Sequence, residues 1–160
     1  MLAPNPIVNG RGVKELERSG IRTHIGILSE EATRLNQSFT KWITQGLPYV
    51  IAKVAQSNNG YMGIDSNSTI GITSFPAKKH THSLRSHVDA ILVGRQTALI
   101  DNPQLNVREV KGQNPKRIIL DTYRKLPLNL KVFNDKTSDT IVLCSADIFD
   151  MSKTHFCKYI

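Results

Sequence analysis

Leu84-Arg85-Ser86-His87-Val88-Asp89-Ala90-Ile91-Leu92-Val93-Gly94-Arg95-Gln96-Thr97-Ala98-Leu99-Ile100-Asp101-Asn102-Pro103-Gln104-Leu105-Asn106-Val107-Arg108 reads as a helix end, an apolar strand, a glycine turn, a short helix and an extended segment, with no spare residues between them. Parallel strands need a crossover, and a strand running straight into a helix is how a chain supplies one. Outward from this stretch the alternation continues. Residues 49–55 read as a strand, 75–86 as a helix, 90–93 as a strand, 95–100 as a helix, and 117–121 and 140–144 as strands rich in β-branched residues. Such runs are written for burial on both faces, so the class is α/β with a largely parallel sheet. In these sheets ligands lie beyond the carboxyl ends of the strands, which directs attention to residues 55–60, 94–101 and 121–123.

Upstream the character changes, with a break at Gln45-Gly46-Leu47-Pro48. Before it, residues 13–19 read as a helix stopped by Gly20, and 23–28 as a short strand. Ser29 is placed to cap a second helix whose first turn carries Glu30 and Glu31, where carboxylates suit the helix dipole. Ala32, Leu35, Phe39, Trp42 and Ile43 then recur at helical spacing, which predicts one buried face that includes Trp42 and an end at Gly46.

The chain has 160 residues, 39% of them apolar, enough for one compact domain with or without an appendage. Lys and Arg exceed Asp and Glu to give a net charge of +8, which favours anionic partners. Cys144 and Cys157 lack C-x-x-C spacing, and two thiols make no disulfide framework. The start lacks the basic patch and apolar run of a signal peptide, and no apolar run approaches a membrane span. A soluble, cytoplasmic protein without membrane contact is therefore expected. The basic residues are scattered and not interleaved with aromatics, which argues against nucleic acid as partner.

Several chemistries find no support. Gly10-Arg11-Gly12 is the only G-x-G and follows no strand. His80 and His82 are two apart on a predicted helix and have no ligand-type companions, so no metal site is expected. Serine-hydrolase, P-loop and zinc-deaminase motifs are absent. What remains is the arginine pair. Arg85 and Arg108 are separated by one strand and one short helix, so both can converge on a single phosphate, which Arg recognises bidentately.

The quoted stretch resembles the reductase domain of the bifunctional riboflavin-biosynthesis deaminase/reductase family. That family writes L-R-x-x-x-D-A-I-L-V-G-x-x-T-x-x-x-D-x-P-x-L-x-V-R, and here the block runs from Leu84 to Arg108. Other blocks agree in order: Pro4-Asn5-Pro6 to Gly12, Leu35-Asn36, Pro48-Tyr49 to Gly60, Ile72-Thr73, and Arg117 to Asp121. The resemblance implies a dihydrofolate-reductase-like three-layer α/β sandwich. It also implies NADPH-dependent reduction of 5-amino-6-(5-phosphoribosylamino)uracil, a phosphorylated pyrimidine, without a metal. By position it implies cofactor contacts at Ala55, Gly71, Thr97, Asp101 and Thr122, and substrate contacts at Thr69, Arg85, Leu105 and Arg108. Asp101 is the candidate polar group near the reacting centre. The alternative for Asp101 is a helix-terminal carboxylate bonding the Asn102-Pro103 turn.

Two residues depart from the family pattern. Gly71 stands where the family usually has the Trp of W-I-T, and Asn59 replaces the Asp of its D-G turn. The family pattern also implies that residues 1–46 are the tail of a deaminase domain and 47–160 the first part of the reductase. On that reading the sheet is incomplete at the C-terminus, with an open edge that favours pairing with another chain. Hence the rival to a reductase is a catalytically inactive fragment acting only through association, a homodimer in the simplest case.

Overall fold

The computed structural model describes residues 2–63 and 71–149, together with the backbone of Lys158–Tyr159. It divides into two compact units, Met1–Lys53 and Val54–Ile160.

The first unit is helical. Helix α1 (Arg11–Arg18) ends in Gly20 at φ 77°, where the Ile21 N–H turns back to the Leu16 carbonyl at 3.0 Å. This is the glycine stop expected of a helix C-terminus. Residues 23–28 are irregular and not the expected strand. A strand needs a ladder partner, and none pairs with this segment among the described residues. The long helix expected from Ser29 is two helices, α2 (Ser29–Leu35) and α3 (Gln37–Gln45). Asn36 separates them: its side-chain amide and its backbone N–H both donate to the Ala32 carbonyl, and its ψ of 18° leaves the helical range. Side-chain competition of this kind is why Asn breaks helices. Ser29 is not the cap, since Leu28, at φ 50°, holds that position without a side-chain bond. Trp42 is 60% exposed, and none of the three helices buries a residue, so the expected core face of residues 32–43 is open.

The second unit carries helix α4 (Phe75–Arg85), strand β1 (Ala90–Gly94), helix α5 (Arg95–Asp101), strand β2 (Lys116–Leu120), helix α6 (Lys131–Asn134), strand β3 (Thr140–Leu143), a 3-10 turn (Ala146–Ile148) and strand β4 (Lys158–Tyr159). The four strands lie in the order β1-β2-β3-β4, and every pair is parallel. The expected α/β class with a parallel sheet is therefore observed. Residues 49–55 do not join this sheet and are irregular.

Alternation along the strands gives the sheet two unlike faces. Val93, Ile119 and Val142 share one register row and face the core, where Ala98 of α5, Leu105, Leu126, Leu130, Val132 and Phe133 cover them. The other face carries Leu92, Ile118 and Ile141 in one row and Leu120 and Leu143 in the next. Leu92 is 55% and Leu120 43% exposed, so β1 and β2 are not buried on both faces as their composition suggested. Arg117 is fully buried on the core side of β2. Its guanidinium donates to the Val132 carbonyl, the Asp135 carboxylate and the Thr137 hydroxyl. Among the described residues no helix is long and apolar enough to cross a membrane.

Candidate functional site

Parallel strands end on the same side, so the residues that follow β1 and β2 are neighbours. Gly94 is paired with Leu120, and beyond them lie α5 on one strand and Asp121-Thr122 on the other. Thr97 and Asp101 are four apart on α5 and share a helix face, and both are exposed. Thr122 is exposed as well, while its carbonyl is held by the Ser145 N–H at 3.0 Å. Asp121 is buried and accepts the Leu126 N–H, shaping the turn that presents Thr122. Of the expected cofactor residues, Thr97 and Thr122 thus follow the carboxyl ends of adjacent strands, and Asp101 closes α5. At the end of β1, Gly94 has no atom within 4 Å of where a Cβ would sit.

Asp101 does not bond the turn that follows it. That task falls to Asn102, at φ 39°, whose Oδ1 accepts the Lys131 N–H at 2.8 Å. The Asp101 carboxylate is left exposed at the end of α5. Ala55 and Gly71 lie in irregular segments, half-buried and exposed, with no hydrogen bond to the α5 edge among the described residues. No described atom lies within 4 Å of a Cβ placed on Gly71. Asn59 supports the turn it occupies, because its Oδ1 accepts the Ser57 hydroxyl at 2.6 Å. Thr69 lies outside the described residues.

The arginine pair is brought together. Arg85 ends α4, and its Nη1 donates to the Asn106 backbone carbonyl at 3.2 Å. Arg108 follows on the same segment and donates from Nη1 to the Asn106 Oδ1 at 3.0 Å. Burial first, and the charge of Arg108 second, lower the pKa of Arg85, the expected consequence of holding two cations side by side. Glu109 approaches Arg108 Nε at 3.7 Å but leaves most of the guanidinium open, for Arg108 is about half exposed. Two guanidinium groups with few anionic neighbours have the charge and the donor geometry to meet a dianion.

Leu105, an expected substrate contact, also serves the core. Its side chain is 5% exposed and belongs to the core, and its backbone is left-handed at φ 53°. Any contact it makes with a ligand comes from its peptide groups. A buried Leu in this conformation is strained by about 1–2 kcal/mol, and Asn106, which meets both arginines, follows it directly.

Three residues around the arginine pair were not assigned to it from the sequence. Asn106, 8% exposed, anchors both arginines. His82, 4% exposed, lies three residues before Arg85 on the same helix face and accepts the Arg108 backbone N–H on Nδ1 at 3.3 Å. Gly112 lies so close to the end of α4 that a Cβ there would stand 2.4 Å from the Ser86 Cβ. Helical spacing alone pairs His82 with Arg85, whereas the partners of Asn106 and Gly112 come only from the fold. No group of three His, Cys, Asp or Glu among the described residues could hold a metal.

The chain resembles known proteins along most of its length. Residues 48–159 match the family model described as the RibD C-terminal domain. The riboflavin biosynthesis protein RibD of Aquifex aeolicus is 41% identical over 143 residues, covering 89% of this chain and 40% of that protein. RibD of Bacillus amyloliquefaciens is 35% identical over 144 residues, 89% of this chain and 39% of that protein. The chain therefore spans about two fifths of the length of these relatives. Among solved structures, the diaminohydroxyphosphoribosylaminopyrimidine deaminase/5-amino-6-(5-phosphoribosylamino)uracil reductase of Thermotoga maritima superposes with a TM-score of 0.84 at 30% identity. The match covers 98% of this chain and 44% of that one. Acinetobacter baumannii RibD superposes with a TM-score of 0.78 at 34% identity, covering 98% and 45%.

Proposed function

The chain belongs to the RibD C-terminal domain family and shares the dihydrofolate-reductase-like α/β fold of its reductase domains, and from this premise we propose that its second unit is a reductase of riboflavin biosynthesis. The substrate is 5-amino-6-(5-phosphoribosylamino)uracil and the cofactor NADPH. The observation that carries the reading is the convergence of Arg85 and Arg108 on Asn106, which supplies a dianion site for the ribose phosphate.

The residues at the α5 edge fit a dinucleotide. Thr97 and Thr122 offer hydroxyls, Gly94 leaves room for close approach, and Arg95, Arg124 and Lys125 bring positive charge to the same ends of β1 and β2. Those cations favour NADPH over NADH, since the additional phosphate needs charge to meet it. Held by residues such as Thr97 and Thr122, NADPH would supply a hydride to C1 of the sugar, with the C1–O ring bond breaking and a proton completing the released hydroxyl. The chain's part is to orient. Arg85 and Arg108 fix the phosphate, the Leu105 backbone lies between them and α5, and exposed Asp101 is the polar group set beside the reacting carbon. Holding two molecules in register accounts for much of such a rate enhancement, and no covalent nucleophile is required. The same reading makes the protein cytoplasmic.

The test is titration of the purified chain with NADPH, with NADH as control, followed by substrate-dependent NADPH oxidation. Saturable binding selective for NADPH is expected. A folded chain that binds neither nucleotide overturns the reading. A second reading, association with another chain without catalysis, is favoured by the bare sheet face at Leu92 and Leu120 and by the unburied first unit. Gel filtration showing a stable oligomer that oxidises no NADPH would support it.

A further inference from the structure

His82 belongs to no chemistry so far described, yet it is a buried imidazole set against two arginines. It reaches Arg108 from 26 residues away, and the contact is with the Arg108 backbone and not its side chain. Helix α4 therefore grips the Arg108 segment at three points: Arg85 on the Asn106 carbonyl, His82 on the Arg108 N–H, and Ser86 packed against Gly112. Of these, only the His82 contact is made to Arg108 itself. We infer that His82 is a positioning residue of the phosphate site, its neutral Nδ1 holding the Arg108 backbone so that the Arg108 guanidinium stays beside Arg85. The inference deepens the proposed function and rests on it, since it assumes that the arginine pair takes a sugar phosphate.

The chemistry follows from which ring nitrogen carries a proton. To accept the Arg108 N–H, Nδ1 must be bare, so the proton sits on Nε2. In an imidazolium both nitrogens are donors, Nδ1 would face another N–H, and the grip would be lost. The groups facing the ring favour its neutral form. Burial first, then Arg85 on its own helix and Arg108 across from it, lower its pKa. Glu109 and the Asn106 carbonyl act in the opposite sense and are outweighed. A purely electrostatic role has the opposite signature, because a third cation beside Arg85 and Arg108 would strengthen anion binding as pH falls.

The experiment measures ribose 5-phosphate affinity for the full chain and for His82→Asn, His82→Leu, Arg108→Ala and the double variant His82→Leu/Arg108→Ala. Asn Oδ1 can stand close to where Nδ1 stands in His and does not titrate. His82→Asn is expected to keep affinity within about threefold, and His82→Leu to lose about tenfold, the size of one hydrogen bond to a site group. In the Arg108→Ala background His82→Leu should cost nothing more, because it acts through Arg108. The ratio of wild-type to His82→Asn affinity, which cancels the titration of the phosphate itself, should fall as pH is lowered. Should His82→Leu fail to fold, this ratio is the deciding measurement. A ratio that rises or stays flat, equal losses in Asn and Leu variants, or an additive loss in the double variant overturns the inference while leaving the proposed function intact. A wild-type chain that does not bind ribose 5-phosphate overturns the phosphate site itself, and the inference with it.

Discussion

Arg85 and Arg108 are held by two different oxygens of one residue: the backbone carbonyl of Asn106 takes Arg85 at 3.2 Å and its side-chain oxygen takes Arg108 at 3.0 Å. A single buried amide thus sets the distance between two cations that would otherwise separate. If the pair takes a phosphate, Arg108→Ala should weaken ribose 5-phosphate binding by about 1.5–3 kcal/mol, the range for a bond to a charged group. NADPH affinity should be unchanged, as calorimetric titration with each ligand will read. Equal loss of both ligands would refute the division of the site.

Asn106 itself separates stability from binding. Asn106→Ala leaves Arg85 its carbonyl but takes the side-chain acceptor from Arg108, and should cost about 1–3 kcal/mol in urea unfolding. Asn106→Asp puts a carboxylate between the two guanidinium groups and neutralises the site from within. It should retain most of the stability and lose ribose 5-phosphate binding by more than Asn106→Ala does.

Gly112 can be tested by one methyl group. An added Cβ would stand 2.4 Å from the Ser86 Cβ, and neither atom is the far end of a flexible side chain. Gly112→Ala should push the Arg108 segment off α4, destabilising the fold by about 1–3 kcal/mol and weakening phosphate binding in parallel. A variant with wild-type unfolding and binding would show that the approach of Gly112 to Ser86 is of no consequence.

Asp135 gives a pH dependence whose sign is fixed. Burial raises its pKa, but the Thr137 N–H and hydroxyl and the Arg117 guanidinium outweigh burial and hold the carboxyl below its ordinary value. The unfolded chain therefore binds the proton more readily, and the pair's stabilisation is complete above the unfolded pKa near 3.8. It drains as pH falls from there through the lower folded value. Removing one partner leaves the other buried and unpaired, so Arg117→Ala should cost about 3–5 kcal/mol at neutral pH. Asp135→Asn should flatten the acid limb of a stability-against-pH curve, and an unchanged limb would show that other carboxylates govern it.

At Gly71, the position that the expected family pattern gives to Trp, no described atom stands within 4 Å of an added Cβ. Gly71→Trp should therefore leave the melting temperature close to wild type. If the ring reaches the cofactor, NADPH binding should tighten by about 0.5–1.5 kcal/mol, the range for aromatic stacking. Loss of NADPH affinity in a folded variant would mean that the segment runs elsewhere.

The stretch from Leu84 to Arg108 was legible because each of its elements is a local event. A short apolar run makes β1, the residues after Gly94 make α5, and the strand-to-helix order commits the chain to a parallel sheet. The same locality explains the misreadings. Residues 23–28 and 49–55 have the composition of strands, but a strand exists only with a partner, and among the described residues β1 pairs with β2 alone. Trp42 and Leu92 have apolar side chains at the right spacing, yet whether a face is covered depends on what packs against it, and both are exposed.

The sequence by itself determined the order of elements, the parallel sheet and the two arginines, because helix and strand periodicity and residue charge are properties of neighbouring residues. Only the tertiary structure decided that Asn106 anchors both guanidinium groups, that Leu105 serves the core while its backbone bends left-handed, and that His82 grips the Arg108 peptide. Each of these depends on a hydrogen bond or a burial made between segments far apart in the chain, and no local pattern encodes which carbonyl or imidazole a distant donor will meet.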